Sequence, residues 1–161
     1  MKKYLVLALM LVAVIFALTA CGNNGRTTDF SETSDTINGK PVAEYLQENY
    51  SLESEQVEIY FSGNQTPIIV TKDKDEIKAL QESVHFDKWV KYKHDQVEGM
   101  ENIYLKFNDE TTIGIYSDFP YGKIGMGVPN DAGTLKNMET YFGMSEELLQ
   151  AVNQIIDKYC N

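Results

Sequence analysis

Apolar and polar positions change their spacing several times along this chain, and each change marks an element. Residues Leu5 to Ala17 are an unbroken apolar run. From Gly22 to Thr36 the pattern disappears. Phe30 is the one large apolar residue there, among Gly, Asn, Arg, Thr, Ser and acidic residues, too little to offset the entropy of ordering. Asn38-Gly39 is a turn signal, and Pro41 suits the first turn of a helix. Val42, Tyr45 and Leu46 follow at helical spacing and predict a short helix over 41–49.

The globular body begins near Gln56. Val57, Ile59 and Phe61 alternate with Glu58 and Tyr60, the pattern of a half-buried strand. Ser62-Gly63-Asn64-Gln65 turns the chain and residues 67–71 return, so the two strands read as a hairpin. Asp73 followed by Glu76 resembles a capping box, and Ile77, Leu80 and Val84 line one face of a helix over 74–84. A run of antiparallel strands is expected next. Phe86, Val90 and Tyr92 share one parity with Trp89 on the other. Ile103, Leu105 and Phe107 alternate with Tyr104 and Lys106, Asn108-Asp109-Glu110 turns the chain, and Ile113 and Ile115 return. Ile124, Met126 and Val128 repeat the alternation around Gly125 and Gly127, and a last short strand is expected over 139–142.

The final helix has the fullest set of signals. Ser145 is a good N-cap, Glu146 and Glu147 suit the positive end of the dipole, and Met144 is placed to staple onto Leu149. Leu148, Leu149, Val152, Ile155, Ile156 and Tyr159 make one apolar stripe. A stripe that wide must cover a sheet. The expected fold class is therefore α+β, a mainly antiparallel sheet with helices packed on one face. No internal repeat at a fixed period is present.

The apolar run gains meaning from its flanks. Lys2 and Lys3 precede it and Leu18-Thr19-Ala20-Cys21 ends it, which is the order of a secretory signal. It is shorter than the about 20 residues that span a bilayer. Leu18-Thr19-Ala20-Cys21 resembles the lipobox of bacterial lipoproteins. That resemblance implies a diacylglyceryl group on the Cys21 thiol, cleavage before Cys21, and a domain held to the membrane from outside the cytoplasm. Two acyl chains suffice for a stable anchor. The implied organisation is a signal peptide over 1–20, a lipidated flexible tether over 21–37 and a single α+β extracytoplasmic domain over 38–161. The strand-into-helix ending Thr140-Tyr141-Phe142-Gly143-Met144-Ser145-Glu146-Glu147-Leu148-Leu149 is similar to endings in small surface lipoproteins of low-GC Gram-positive bacteria. Extracytoplasmic domains attached to membrane sensor peptidases have related endings.

Charge narrows the partners. The chain carries 14 Lys+Arg and 24 Asp+Glu; losing Lys2 and Lys3 with the signal leaves 12 basic residues against 24 acidic ones, a net of −12. Nucleic acid needs a basic footprint, and anionic headgroups attract Lys and Arg. Neither nucleic acid nor direct adsorption to lipid is expected, so the contact with the membrane is through the lipid on Cys21. With Cys21 a thioether, Cys160 is left as a lone thiol near the C-terminus, which excludes a disulfide framework.

No motif for catalysis, cofactor or metal emerges. His85 and His94 are the only histidines, and their spacing is not that of a zinc site; they read as surface histidines of a strand. Asp73, Asp75 and Glu76 lack the glycine and glutamate of a calcium loop, with Lys78 and Val84 at those positions. Gly122-Lys123-Ile124-Gly125-Met126-Gly127 lacks the Gly-Lys-Ser/Thr ending of a phosphate loop. It reads as a strand whose glycines leave an uncrowded face, and glycine in a strand marks close approach by another backbone or ligand.

The aromatic residues suggest a surface. There are 10 tyrosines, and Tyr60, Tyr104 and Tyr116 fall on the outward parity of strands whose Ile59, Leu105 and Ile115 point inward. Tyr suits binding surfaces because it offers area and a hydroxyl at low entropic cost. The expectation is a lipid-anchored extracytoplasmic binding module for an envelope protein or peptide. Its exposed sheet face carries Tyr60, Tyr104 and Tyr116, with Phe119 and Tyr121 beside them. Two other classes stay open: a small cell-envelope hydrolase using carboxylates, and a structural or stress-related lipoprotein.

Overall fold

Antiparallel pairing organises the chain from Thr33 onward. The computed structural model describes residues 33–92, 103–116, 121–130, 134–143 and 146–160, all within one unit, Ser31–Asn161. The elements run β1 (Thr33–Ser34), β2 (Thr36–Ile37), β3 (Lys40–Pro41), α1 (Val42–Asn49), β4 (Val57–Phe61), β5 (Ile69–Thr71), α2 (Lys74–Ser83), β6 (Val90–Tyr92), β7 (Ile103–Asn108), β8 (Thr111–Ile115), β9 (Tyr121–Met126), β10 (Lys136–Phe142) and α3 (Glu146–Cys160). Eight strands form one sheet in the order β1-β6-β10-β9-β8-β7-β4-β5, while β2 and β3 pair separately. The described strands pair antiparallel throughout.

Register sorts the side chains into two faces. On the front face Ile59, Leu105, Ile113, Ile124 and Glu139 stand in one row across five strands. The three helices cover this face: Val42 and Leu46 of α1, Ile77 and Leu80 of α2, and Leu148, Val152 and Ile155 of α3 share one core with Ile59, Leu105, Ile113 and Ile124. The fold is therefore α+β with helices on one face of an antiparallel sheet. Burying each of those aliphatic side chains contributes about 1.5–3 kcal/mol, an upper estimate because denatured chains are already partly collapsed.

Local signals explain most boundaries. The Asp73 carboxylate accepts from the N–H groups of Asp75 and Glu76 and caps α2. Those bonds hold its pKa below the usual carboxylate value. Glu76 does not close the expected box; it accepts from Thr71 Oγ1 and, at 2.5 Å, from Lys158 Nζ, tying α2 to the end of α3. Ser145 and Met144, the expected cap and staple of α3, lie outside the described residues.

Three expectations change. Thr33–Ile37, assigned to the tether by composition, forms β1 and β2, because pairing with β6 and β3 supplies partners that the segment's own sequence cannot reveal. Phe86 is not in a strand. Residues Phe86–Lys88 form a 3₁₀ turn, and Trp89 is buried, donating from Nε1 to the Val84 carbonyl at 2.9 Å. The last strand starts at Lys136, three residues before the expected start, with a register shift between Lys136 and Glu139. Among the described residues no helix is long and apolar enough to cross a membrane.

Candidate functional site

The tyrosines of the expected surface lie on one face but are not exposed. Tyr60 and Tyr104 stand opposite each other on β4 and β7. Tyr116, just past β8, lies near Lys123, whose Nζ is 5.6 Å from its ring. Their exposures are 2%, 0% and 4%, which overturns the open tyrosine face. For Tyr60 and Tyr104 the cause is Leu135, just before β10, which with Met138 of β10 packs on them. Gly125 makes room for it: a Cβ at Gly125 would lie 2.7 Å from Leu135 Cβ and 2.9 Å from the Lys136 carbonyl oxygen. The glycines do mark a close approach, and what approaches is the chain itself. Tyr121 opens β9 opposite Phe142; Cys21, Phe119 and His94 lie outside the described residues.

Polar groups inside the sheet layers are matched to one another. On the back face Tyr60 Oη donates to Glu58 at 2.5 Å, and Lys106 lies 3.5 Å from Glu58 and 3.0 Å from Asp109. Burial, then the Glu58 hydrogen bond, raises the Tyr60 pKa. Burial pushes Lys106 down, but Asp109 and Glu58 outweigh it and hold its pKa up. On the front face Glu139 accepts from Tyr141 at 2.6 Å and Tyr45 at 3.5 Å, with Lys91 at 3.7 Å. Burial, reinforced by Glu139, raises the pKa of Tyr141, Tyr50 and Tyr45. This cluster docks α1 onto β10 with its hydrogen-bonding capacity largely used within the fold.

A different place is open. A groove of about 410 Å³ runs between the C-terminal ends of α1 and α2. It is lined by Gln47, Tyr50, Ser51, Leu52, Gln81, Glu82, Val84, His85, Phe86 and Asp87. Its shape follows from local bonds. Gln81 Nε2 donates to the Leu52 carbonyl at 2.7 Å and holds the segment after α1 against α2. His85 then takes a left-handed conformation, φ 51° and ψ 57°, which turns the chain off α2. His tolerates this region better than most residues but still at a cost. The His85 ring lies beside the N-terminal turn of α3, with Nε2 2.5 Å from Glu147 Oε2, while Nδ1 is 3.9 Å from Asp87.

The charged side chains lining the groove are acidic, with Lys78 3.7 Å from Glu82 and Lys88 4.0 Å from Glu147 beside it. Its lining holds Glu82 and Asp87 and no Lys or Arg. Neither α1 nor α2 has a basic residue in its last turn. Both helices therefore direct the negative ends of their dipoles toward the same opening, while the Tyr45, Leu46, Leu80 and Val84 carbonyls accept from Asn49 Nδ2, the Tyr50 N–H, Ser83 Oγ and Trp89 Nε1. Phe86 and Tyr50 give the floor an apolar part, at 7% and 9% exposure. Such a site suits a cation carried on an aliphatic or aromatic stem. No group of three or more potential metal ligands is found among the described residues.

Sequence patterning did not point to this groove. Two helix ends meet there only after folding, and the one local clue, a His just past a helix C-terminus, gives no sign of its left-handed turn without coordinates. No protein family model, curated protein or solved structure matches the chain.

Proposed function

We propose that the chain is a lipid-anchored extracytoplasmic binding module whose ligand is a positively charged segment of an envelope protein or peptide, taken in the groove beside His85. The observation that carries the binding role is the convergence of two helix C-termini with no basic residue in their last turns, together with Glu82 and Asp87, on one open groove. The place of work rests on Leu18-Thr19-Ala20-Cys21, with the diacylglyceryl group on Cys21 as the sole membrane contact. The net charge of −12 after loss of the signal agrees with a cationic partner and steers its approach from a distance.

Trp89 is the single tryptophan and a built-in reporter. It packs edge-on against Phe86 at 5.2 Å and bonds the Val84 carbonyl, and both residues line the groove. A short lysine-rich peptide titrated against the protein should shift Trp89 emission saturably, and less at 0.5 M salt. Glu82→Gln with Asp87→Asn should weaken the peptide by about two- to thirtyfold, since exposed charges contribute about 0.2–1 kcal/mol each and 1.4 kcal/mol is tenfold. Unchanged emission at millimolar peptide, or equal affinity in the double variant, would remove the groove from consideration.

A further inference from the structure

His85 is the one side chain of the groove lining of a type that ordinarily titrates between about pH 8 and pH 5. Its left-handed turn and the 2.5 Å contact from Nε2 to Glu147 Oε2 fix the ring between the end of α2 and the first turn of α3. The side chain is 31% exposed, so protons reach it from solvent. Charged groups approach it from each neighbouring segment. α2 brings Glu82, with Lys78 3.7 Å from it. The turn after α2 brings Asp87, 3.9 Å from Nδ1, and Lys88, 4.0 Å from the Glu147 carboxylate. α3 brings Glu147, with Glu146 exposed in the same turn. α1 brings Gln47 and Tyr50. Burial raises the Tyr50 pKa, so that phenol stays neutral, and Glu48 is engaged by Lys40 at 2.6 Å.

We infer that protonation of His85 closes the groove to cations, so that a basic ligand is held near neutral pH and released in acid. The effect rests on the cationic ligand proposed above. Carboxylates ordinarily stay ionised above about pH 5 and ammonium groups below about pH 9, so over this interval the imidazole alone changes charge. Lys78 and Lys88 offset two of the three carboxylates Glu82, Asp87 and Glu147. With His85 neutral, one negative charge of this cluster is left to attract a cation. With His85 charged, none is left. A ligand in a groove of about 410 Å³ lies within the ~8 Å Debye length of its walls, so salt screens that single charge only in part. The charged ring also holds the Glu147 carboxylate more strongly than the neutral ring does, which withdraws it from the ligand.

N-acetylated tetralysine amide, titrated calorimetrically against the protein at one ionic strength, should bind about two- to fivefold more weakly at about pH 5.5 than at about pH 7.5, the effect of one partly exposed charge. His85→Asn keeps a residue that tolerates the left-handed turn and cannot charge. Its affinities at the two pH values should be equal. His94→Asn, which removes the other histidine, should keep the loss seen in wild type. If His85→Asn does not fold, the His94→Asn comparison still decides, since the chain has two histidines. Equal wild-type affinities at the two pH values, a loss undiminished in His85→Asn, or a loss abolished by His94→Asn would overturn the switch and leave the groove as a binding site. No binding at either pH would remove the groove and the switch with it.

Discussion

At the scale of single residues, the back face shows how one missing methyl group decides what a surface is for. Gly125 lies under Leu135, and a Cβ there would sit within 3 Å of both the Leu135 side chain and the Lys136 backbone. Gly125→Ala should lower unfolding stability by about 1–3 kcal/mol, the usual cost of overpacking, measured as a lower urea midpoint with an unchanged slope. A change under about 0.5 kcal/mol would mean that the β9–β10 connection lifts freely and that Tyr60 and Tyr104 are open after all. The alternation that sent these tyrosines away from Ile59 and Leu105 was legible in the sequence, since a period of two fixes sides. Their burial was not, because parity gives a side of the sheet and says nothing of what lies on it.

At the scale of elements, α3 keeps most of its predicted stripe. Leu148, Val152 and Ile155 are buried on the sheet while Gln154 faces solvent, and Tyr159 at its end is 48% exposed. Ile155→Asp should therefore place a charge in that core, among the costliest substitutions, and lower or abolish the urea transition of a soluble variant starting at Gly22. Gln154→Asp on the same helix should change stability by no more than about 0.5 kcal/mol. Similar midpoints for the two would mean that α3 is not docked. The segment after α2 is the opposite case. Phe86, Trp89 and Val90 read as strand by composition, yet Phe86 enters a 3₁₀ turn and Trp89 bonds back to Val84. The short range of β-propensity loses there to the packing of two aromatic rings at 5.2 Å.

For the whole molecule, the proposed function depends on the lipid proposed at Cys21 and on the groove presented beside His85. Cys21→Ala should leave the protein unprocessed or shed it from the membrane fraction, and should abolish labelling by a fatty-acid analogue. Equal labelling of wild type and variant would sink the lipid anchor. The free thiol of Cys160 is exposed at the end of α3, so it must be replaced before labelling is read.

The sequence by itself determined the α+β class, the β4–β5 hairpin, the α2 cap at Asp73 and the buried stripe of α3. It did so because each depends on neighbours within a few positions and on a period of 2 or 3.6. Only the tertiary structure decided that Thr33–Ile37 pairs into strands, that Leu135 closes the back face over Tyr60 and Tyr104, and that two helix ends open a groove beside His85. These are contacts between segments tens of residues apart. Their energy is set by the distances and register that folding brings about, which no local pattern of apolar and polar residues encodes.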